Sequence, residues 1–365
     1  MDWREFLARP ALKPPPPGLL NSFAGQTILI TGAGGSIGSA LALRLGALNL
    51  AGLVLLEASE SNIYTLQHDL TEAAASSPTP LCPSTMILGS AGDRSLLEEI
   101  FENHAPRLVF HAAAFKHVPL MEEQPLAAIA NNIFATEILV EAAAAHGART
   151  ILLSTDKAVE PASVMGATKR VAEEIVLASR GTVLRLGNVL ASRDSVAEIF
   201  ARQIEKGGPL TVTDPAARRY FLTVDEAVNL LLSAALYAEP AAVLAPSLPA
   251  PHYVVDLARF MALALRPECE IPIHFTGSRP GDKETERLWS SSDRTGATSF
   301  ADLVSIETAR PTKAPFEQSL ARLRAALDAR APAAALDALQ ALVPDYTPSA
   351  TVLELARRSR MRVCP

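Results

Sequence analysis

Short apolar runs alternate with stretches of helical period over the first half of the chain. The runs at 27–31, 53–57, 85–88, 108–111, 150–154 and 182–186 are short and β-prone, which predicts strands. Between them, stretches near 36–48, 61–75, 94–103, 119–146 and 163–180 place apolar residues at helical spacing. This alternation predicts an α/β fold, with a doubly wound parallel sheet over residues 25–190. Beyond residue 190 the alternation stops. Residues 191–348 read mainly as a smaller, mixed α/β, substrate-binding domain, with some segments returning to the first. Two proline-rich stretches interrupt the pattern. Pro10 and Pro14 to Pro17 mark residues 1–24 as an extended arm. Pro240, Pro246, Pro249 and Pro251 mark residues 239–251 as a loop-rich excursion. Residues 349–365 read as a C-terminal tail, and no internal repeat is evident.

Between the first strand and the first helix lies Thr31-Gly32-Ala33-Gly34-Gly35-Ser36-Ile37-Gly38. A glycine-rich turn between strand and helix lets the backbone approach a pyrophosphate, and the helix N-terminus favours its negative charge. The second strand ends at Glu57, nineteen residues after Gly38. A carboxylate there suits the ribose hydroxyls of a dinucleotide. No arginine or lysine follows closely, so the pattern predicts NAD rather than NADP.

Composition narrows the class. The chain has 365 residues, 49% hydrophobic and 20% charged, as in ordinary globular proteins. A net charge of −6 argues against nucleic-acid binding. No apolar run is seen to approach the ~20 residues of a bilayer span, and Met1-Asp-Trp-Arg-Glu lacks a signal-peptide pattern. A cytoplasmic protein with no membrane partner is expected. Cys82, Cys269 and Cys364 have neither disulfide nor metal-ligand spacing.

The densest chemistry lies at the fifth predicted strand. Ser154-Thr155-Asp156-Lys157 follows the apolar run Thr150-Ile-Leu-Leu, and Met165-Gly-Ala-Thr-Lys169 opens the next helix. Ligands of such sheets bind outside the carboxyl ends of the strands. A hydroxyl, a carboxylate and two lysines therefore converge where a cofactor would lie.

With these residues the chain resembles the extended short-chain dehydrogenase/reductases, and within them the polysaccharide-biosynthesis (CapD-like) nucleotide-sugar 4,6-dehydratases. The resemblance also rests on Glu60-Ser-Asn62-Ile-Tyr64, His111 to Pro119, Asn131-Asn132, Arg185-Leu-Gly187-Asn188 and Ser192-Arg193. It continues through Gly207-Gly208-Pro209, Arg219-Tyr220-Phe221, Gly277 to Lys283 and Val343 to Tyr346. It implies a Rossmann-like fold, bound NAD, a nucleotide-sugar substrate and a homo-oligomer. Several family forms carry an N-terminal membrane bundle, and this chain resembles the short form. Met165 stands at the superfamily's catalytic tyrosine. That resembles a methionine-bearing branch linked mainly to UDP-N-acetylglucosamine dehydratases that retain the C5 configuration.

The implied reaction oxidises sugar C4, removes water across C5–C6 and returns hydride to C6. By resemblance Asp156 is the acid, Lys157 the base, and Thr155 the hydrogen-bond partner of the C4 oxygen. Lys169 would hold the nicotinamide ribose. A lysine serves as base only where its pKa is lowered, and Lys169 could supply the charge that does so. Met165 has no proton to transfer, so the base for the C4 hydroxyl stays open. Resemblance also assigns Ser90, His111, Ala112, Ala113 and Asn132 to the cofactor, and Lys116, Asn188, Arg193, Arg219 and Arg279 to the substrate. His117 is equally well read as structural, and Asp225-Glu226 as a helix start. Several residues depart from the family pattern: Ser90 for aspartate, Ala135 for glycine, Glu160 and Ser163 for asparagines, and Ala191 and Asp194 for glycines. Asp194 would disfavour a diphosphate unless Arg193 or Arg218 pairs it. Three alternatives remain: a retaining dehydratase, a 4-epimerase or 5-epimerising dehydratase, and a cofactor-binding protein without turnover.

Overall fold

The computed structural model describes residues 1–237 and 239–361; Cys364 lies outside them. Six parallel strands form at the predicted apolar runs: β1 (Thr27–Thr31), β2 (Gly52–Glu57), β3 (Ser84–Leu88), β4 (Leu108–His111), β5 (Arg149–Thr155) and β6 (Thr182–Leu186). β7 (Val243–Pro246) pairs parallel to β6, while β8 (Arg294–Ala297) and β9 (Leu303–Glu307) extend the sheet antiparallel. The order across the sheet is β8-β9-β7-β6-β5-β4-β1-β2-β3. Helices cover both faces, so central strands have no polar side to alternate with. Ile28, Leu29 and Ile30 are fully buried in succession. Burying each such side chain contributes about 1.5–3 kcal/mol. β1 and β4 lie side by side although β2 and β3 intervene in sequence. That is the topological switch point, outside whose strand ends ligands bind.

Three expectations need correction. Residues 239–251 are not only loop, because Val243–Pro246 forms β7 inside the sheet. The stretch 119–146 is not one helix. It breaks into Val118–Glu123, Pro125–Ala128, the π-helical Ile129–Phe134 and Ala135–Ala145. Pro125 lacks an N–H to continue the preceding turn, and Gln124 before it leaves the helical region at φ −124°, ψ 54°. Nor is the chain free of segments able to span a bilayer by length and composition. The helical stretch Pro125–Ala145 has 21 residues and a mean hydropathy of 1.3, and 61% of that window is buried inside the protein.

Away from the sheet, Phe200, Leu210, Val212, Phe221 and Leu257 build a second, smaller core. The N-terminal arm reaches it. Trp3–Leu7 is a short helix whose Phe6 and Leu7 are buried in that core. The segment read as a tail is helical over Ala350–Met361 and buries Val352 and Ala356.

Candidate active site

The glycine turn leaves no room for side chains. Gly32 has φ +68°, and a Cβ there would lie 2.7 Å from the Ala113 backbone. A Cβ on Gly38 would overlap the Gly32 carbonyl. The helix Ser36–Gly46 starts immediately after this turn. Glu57, at the end of β2, is 8% exposed; its Oε2 accepts from the Gly34 amide at 2.9 Å and its Oε1 from the Ser59 amide at 2.9 Å. A backbone cradle that any Cβ would fill, a helix start beside it and a fixed carboxylate beyond it fit a dinucleotide.

His111 closes the floor of this cradle. Its Nδ1 lies 2.6 Å from Thr31 Oγ1 and its Nε2 lies 2.9 Å from Thr136 Oγ1. Burial, reinforced by the Lys169 charge, pushes the imidazole pKa down to about 3, so the ring is neutral. The Ala112 amide donates to the Thr31 carbonyl at 3.0 Å. Asn132 sits in the π-turn, a distortion frequent at functional sites. Its Oδ1 accepts from Phe115 N, and its Nδ2 donates to Phe115 O and Thr168 Oγ1. It thereby ties the loop after β4 to the helix Val164–Ala178. Ser90 is exposed, and its Oγ accepts from the Gly92 amide at 3.1 Å.

At the end of β5 the fold brings Thr155, Asp156, Lys157 and Asn188 together. Asp156 is fully buried, and its Oδ1 accepts from Thr155 Oγ1 at 3.0 Å and from Lys157 Nζ at 2.9 Å. Its Oδ2 is buried without a hydrogen-bond partner. Burial pushes the carboxyl pKa up, only partly offset by the Lys157 ammonium. Such a carboxyl is suited to hold a proton and give it up. Lys157 Nζ also donates to Asn188 Oδ1 at 3.3 Å and lies 3.9 Å from Glu286 Oε1. Burial pulls the lysine pKa down, but Asp156 and Glu286 outweigh it and the net direction is up. This corrects the expectation of a lowered Lys157. Lys169 is not the opposing charge either: that influence comes from Arg219. Burial takes Lys169 itself down to about 8, and its Nζ donates to the Leu153 carbonyl at 2.9 Å.

Met165 is 4% exposed and lies in an apolar cluster with Val118, Met121 and Ile133. The helix that carries it starts at Ser163, whose Oγ accepts from the Gly166 amide at 3.1 Å. Ser163 is thus a helix cap.

The cationic residues divide. Arg193 reaches the glycine turn rather than a separate pocket. Its guanidinium donates to Gly34 O at 3.0 Å and Asn62 Oδ1 at 2.5 Å, and its amide donates to Ser36 Oγ at 2.8 Å. Lys116 Nζ donates to Arg193 O at 2.6 Å, fastening the same loop. Arg219 is 8% exposed and donates to the carbonyls of Arg218, Lys283 and Glu284. Arg279 lies farther out and pairs with Asp282 at 2.9 Å. Asp194 is paired by neither Arg193 nor Arg218. His117 Nε2 lies 3.8 Å from its Oδ2, and Arg218 donates to Tyr253 instead. Glu226 is more than a helix start: it completes a capping box with Thr223 and holds Arg9 of the arm. Among the described residues, no three His, Cys, Asp or Glu side chains converge as a metal site.

Sequence reasoning missed several buried carboxylates, and two of them, Glu286 and Glu122, border this site. Glu286 is 2% exposed and lies between Lys157 and Lys283. Glu122 is 1% exposed and accepts from the Val164 amide at 2.7 Å, at the start of the helix bearing Met165 and Lys169. Neither has a local spacing that signals its partner; each meets it only through tertiary folding.

A profile of the family described as polysaccharide biosynthesis protein matches residues 28–308. The chain is 41% identical over 281 residues to the probable polysaccharide biosynthesis protein EpsC of Bacillus subtilis, covering 75% of this chain and 46% of EpsC. It therefore spans about half of EpsC. It is also 32% identical over 299 residues to a UDP-glucose 4-epimerase of Rickettsia canadensis, covering 78% of this chain and 83% of that protein. Among solved structures, Pen from Bacillus thuringiensis superposes with a TM-score of 0.72 at 26% identity, covering 80% of this chain and 92% of Pen.

Proposed function

Because the chain belongs to the polysaccharide biosynthesis protein family, related to the nucleotide-sugar dehydratases and epimerases of the short-chain dehydrogenase/reductase fold, we propose that it is an NAD-dependent nucleotide-sugar 4,6-dehydratase. The preferred substrate is UDP-N-acetylglucosamine, and C5 configuration is retained. The observation that carries this reading is the Asp156–Lys157 pair: a buried carboxyl driven toward its protonated form, 2.9 Å from a lysine ammonium.

The residues that would hold NAD are the turn Thr31 to Gly38, Glu57, His111, Asn132 and Lys169. Bound nicotinamide would supply reversible hydride acceptance from sugar C4 and return at C6. The chain's own residues supply the rest. Thr155 orients the C4 oxygen. Lys157, once it has lost its proton, removes the C5 hydrogen made acidic by the 4-keto group and gives that proton back to C5 as hydride reaches C6. Asp156 gives its proton to the departing 6-hydroxyl. General acid–base catalysis of this kind requires both groups within hydrogen-bond reach of the substrate. Met165 contributes an apolar wall that moves no proton. Asn188, Arg193, Arg219 and Arg279 are carried to the nucleotide-sugar side by resemblance, and a homo-oligomer goes with the same reading.

A 4-epimerase is the second reading, favoured by the likeness to the Rickettsia canadensis enzyme. NMR of the product after incubation with UDP-N-acetylglucosamine separates the two. A 4-keto-6-deoxy sugar with retained C5 supports the dehydratase, whereas a C4 epimer with its 6-hydroxyl intact overturns it.

A further inference from the structure

Lys157 has a second carboxylate neighbour that comes from the far half of the chain. Glu286 Oε1 lies 3.9 Å from Lys157 Nζ, and its Oε2 lies 2.8 Å from Lys283 Nζ. The carboxylate is 2% exposed, so little water screens it. Lys283 is itself tethered, donating to the Val159 carbonyl at 2.9 Å. Arg219 anchors the same segment through the Lys283 and Glu284 carbonyls and places a positive charge near Lys157. The charged groups facing Lys157 are therefore Asp156 from its own segment, Glu286 from the 279–288 segment and Arg219 from the strand pair at 218–219.

We infer that Glu286 is a positioning residue for the reaction: its carboxylate holds the Lys157 side chain beside Asp156 and governs when that ammonium releases its proton. The inference rests on Lys157 being the base. One carboxylate is shared by two lysines, Lys157 and Lys283, so each competes for it. When Lys283 draws the carboxylate, Lys157 loses a counter-charge and gives up its proton more readily. When Lys283 is removed, Glu286 serves Lys157 alone. The same segment carries Arg279 and Asp282, which pair at 2.9 Å. A ligand seated on that segment would thus act on Lys157 through Glu286 without touching it.

The test reads the proton on Lys157 directly, so it does not depend on turnover of any sugar. The full-length protein is labelled with acetic anhydride across neutral and alkaline pH, and Lys157 acetylation is quantified by peptide mass spectrometry. Glu286→Gln should move the labelling midpoint to lower pH, with several-fold more labelling at mildly alkaline pH. Glu286→Asp, which keeps the charge, should restore most of the wild-type profile. Lys283→Met should move the midpoint the opposite way. A midpoint unmoved in Glu286→Gln, or displaced in the same direction in both charge-removing variants, would overturn the inference. Should Glu286→Gln fail to fold by circular dichroism, Lys283→Met decides alone, and an unmoved midpoint overturns it. If labelling shifts as expected but UDP-N-acetylglucosamine is not consumed, the inference stands and the substrate assignment falls.

Discussion

Glu57 Oε2 accepts a hydrogen bond from the Gly34 amide at 2.9 Å, which locks the carboxylate at the end of β2 to the glycine turn at the end of β1. A second bond, from the Ser59 amide to Oε1, fixes the other oxygen. A carboxylate held this way cannot swing aside for a 2′-phosphate. NAD should therefore bind well and NADP poorly. Glu57→Ser should narrow the ratio of the two Kd values by at least about tenfold, equivalent to ~1.4 kcal/mol. Titration calorimetry with each dinucleotide checks this, and equal affinities in the wild-type protein would refute it.

His111 makes stability depend on pH with a definite sign. Its folded pKa is lowered to about 3, against 6.5 for the unfolded chain. The unfolded state therefore takes up a proton as pH falls through 6.5, while the folded state stays neutral until about 3. Stability contributed by this group is complete above pH 6.5 and declines below it. Between pH 7 and pH 5 the loss is about 2 kcal/mol. His111→Gln should flatten this dependence by that amount, whatever its effect at pH 7. Urea unfolding at the two pH values measures the difference.

Much of this was legible because parallel strands buried on both faces read as continuous apolar runs. The same logic made Thr31 to Gly38 and Glu57 readable, since strand, turn and helix are adjacent in sequence. β7 was hidden because prolines at 240, 246, 249 and 251 dominate its neighbourhood. Pro246 is tolerated as the strand's last residue, opposite Leu303. The break at Pro125 was legible in principle but was outweighed by the helical period around it. Contacts such as Glu286 with Lys157, or Arg193 with Gly34, join segments far apart in sequence and left no local pattern. The upward direction of the Lys157 shift comes first from the adjacent Asp156 and then from Glu286, and only the first of these carboxylates is visible in the sequence.

The arm should matter to stability beyond its length. Arg9 Nη1 lies 2.6 Å from Glu226 Oε1 with side chains only 8% and 4% exposed, and the Leu12 amide donates to the same oxygen at 2.9 Å. Burial pushes the Glu226 pKa up, but the bonds from Arg9, Leu12 and Thr223 outweigh it and hold it down. Arg9→Ala strands that charge and should cost about 3–5 kcal/mol. Combining it with Glu226→Gln should cost less than the sum of the single changes. Thermal and urea unfolding of the four proteins supply the cycle.

The last prediction separates Asp156 from Lys157. If Lys157 takes the C5 proton, Lys157→Ala should abolish solvent-deuterium exchange at C5 of UDP-N-acetylglucosamine. Hydride loss from C4 does not break the C5–H bond, so NADH absorbance should still develop in part. Asp156→Asn should behave differently, because an amide cannot donate the proton that the leaving 6-hydroxyl needs. Exchange at C5 should persist there while water loss falls by ~10²–10⁴. Each variant is incubated with substrate in D₂O, following absorbance and the C5 label together. Undiminished C5 exchange in Lys157→Ala would assign the base to another residue.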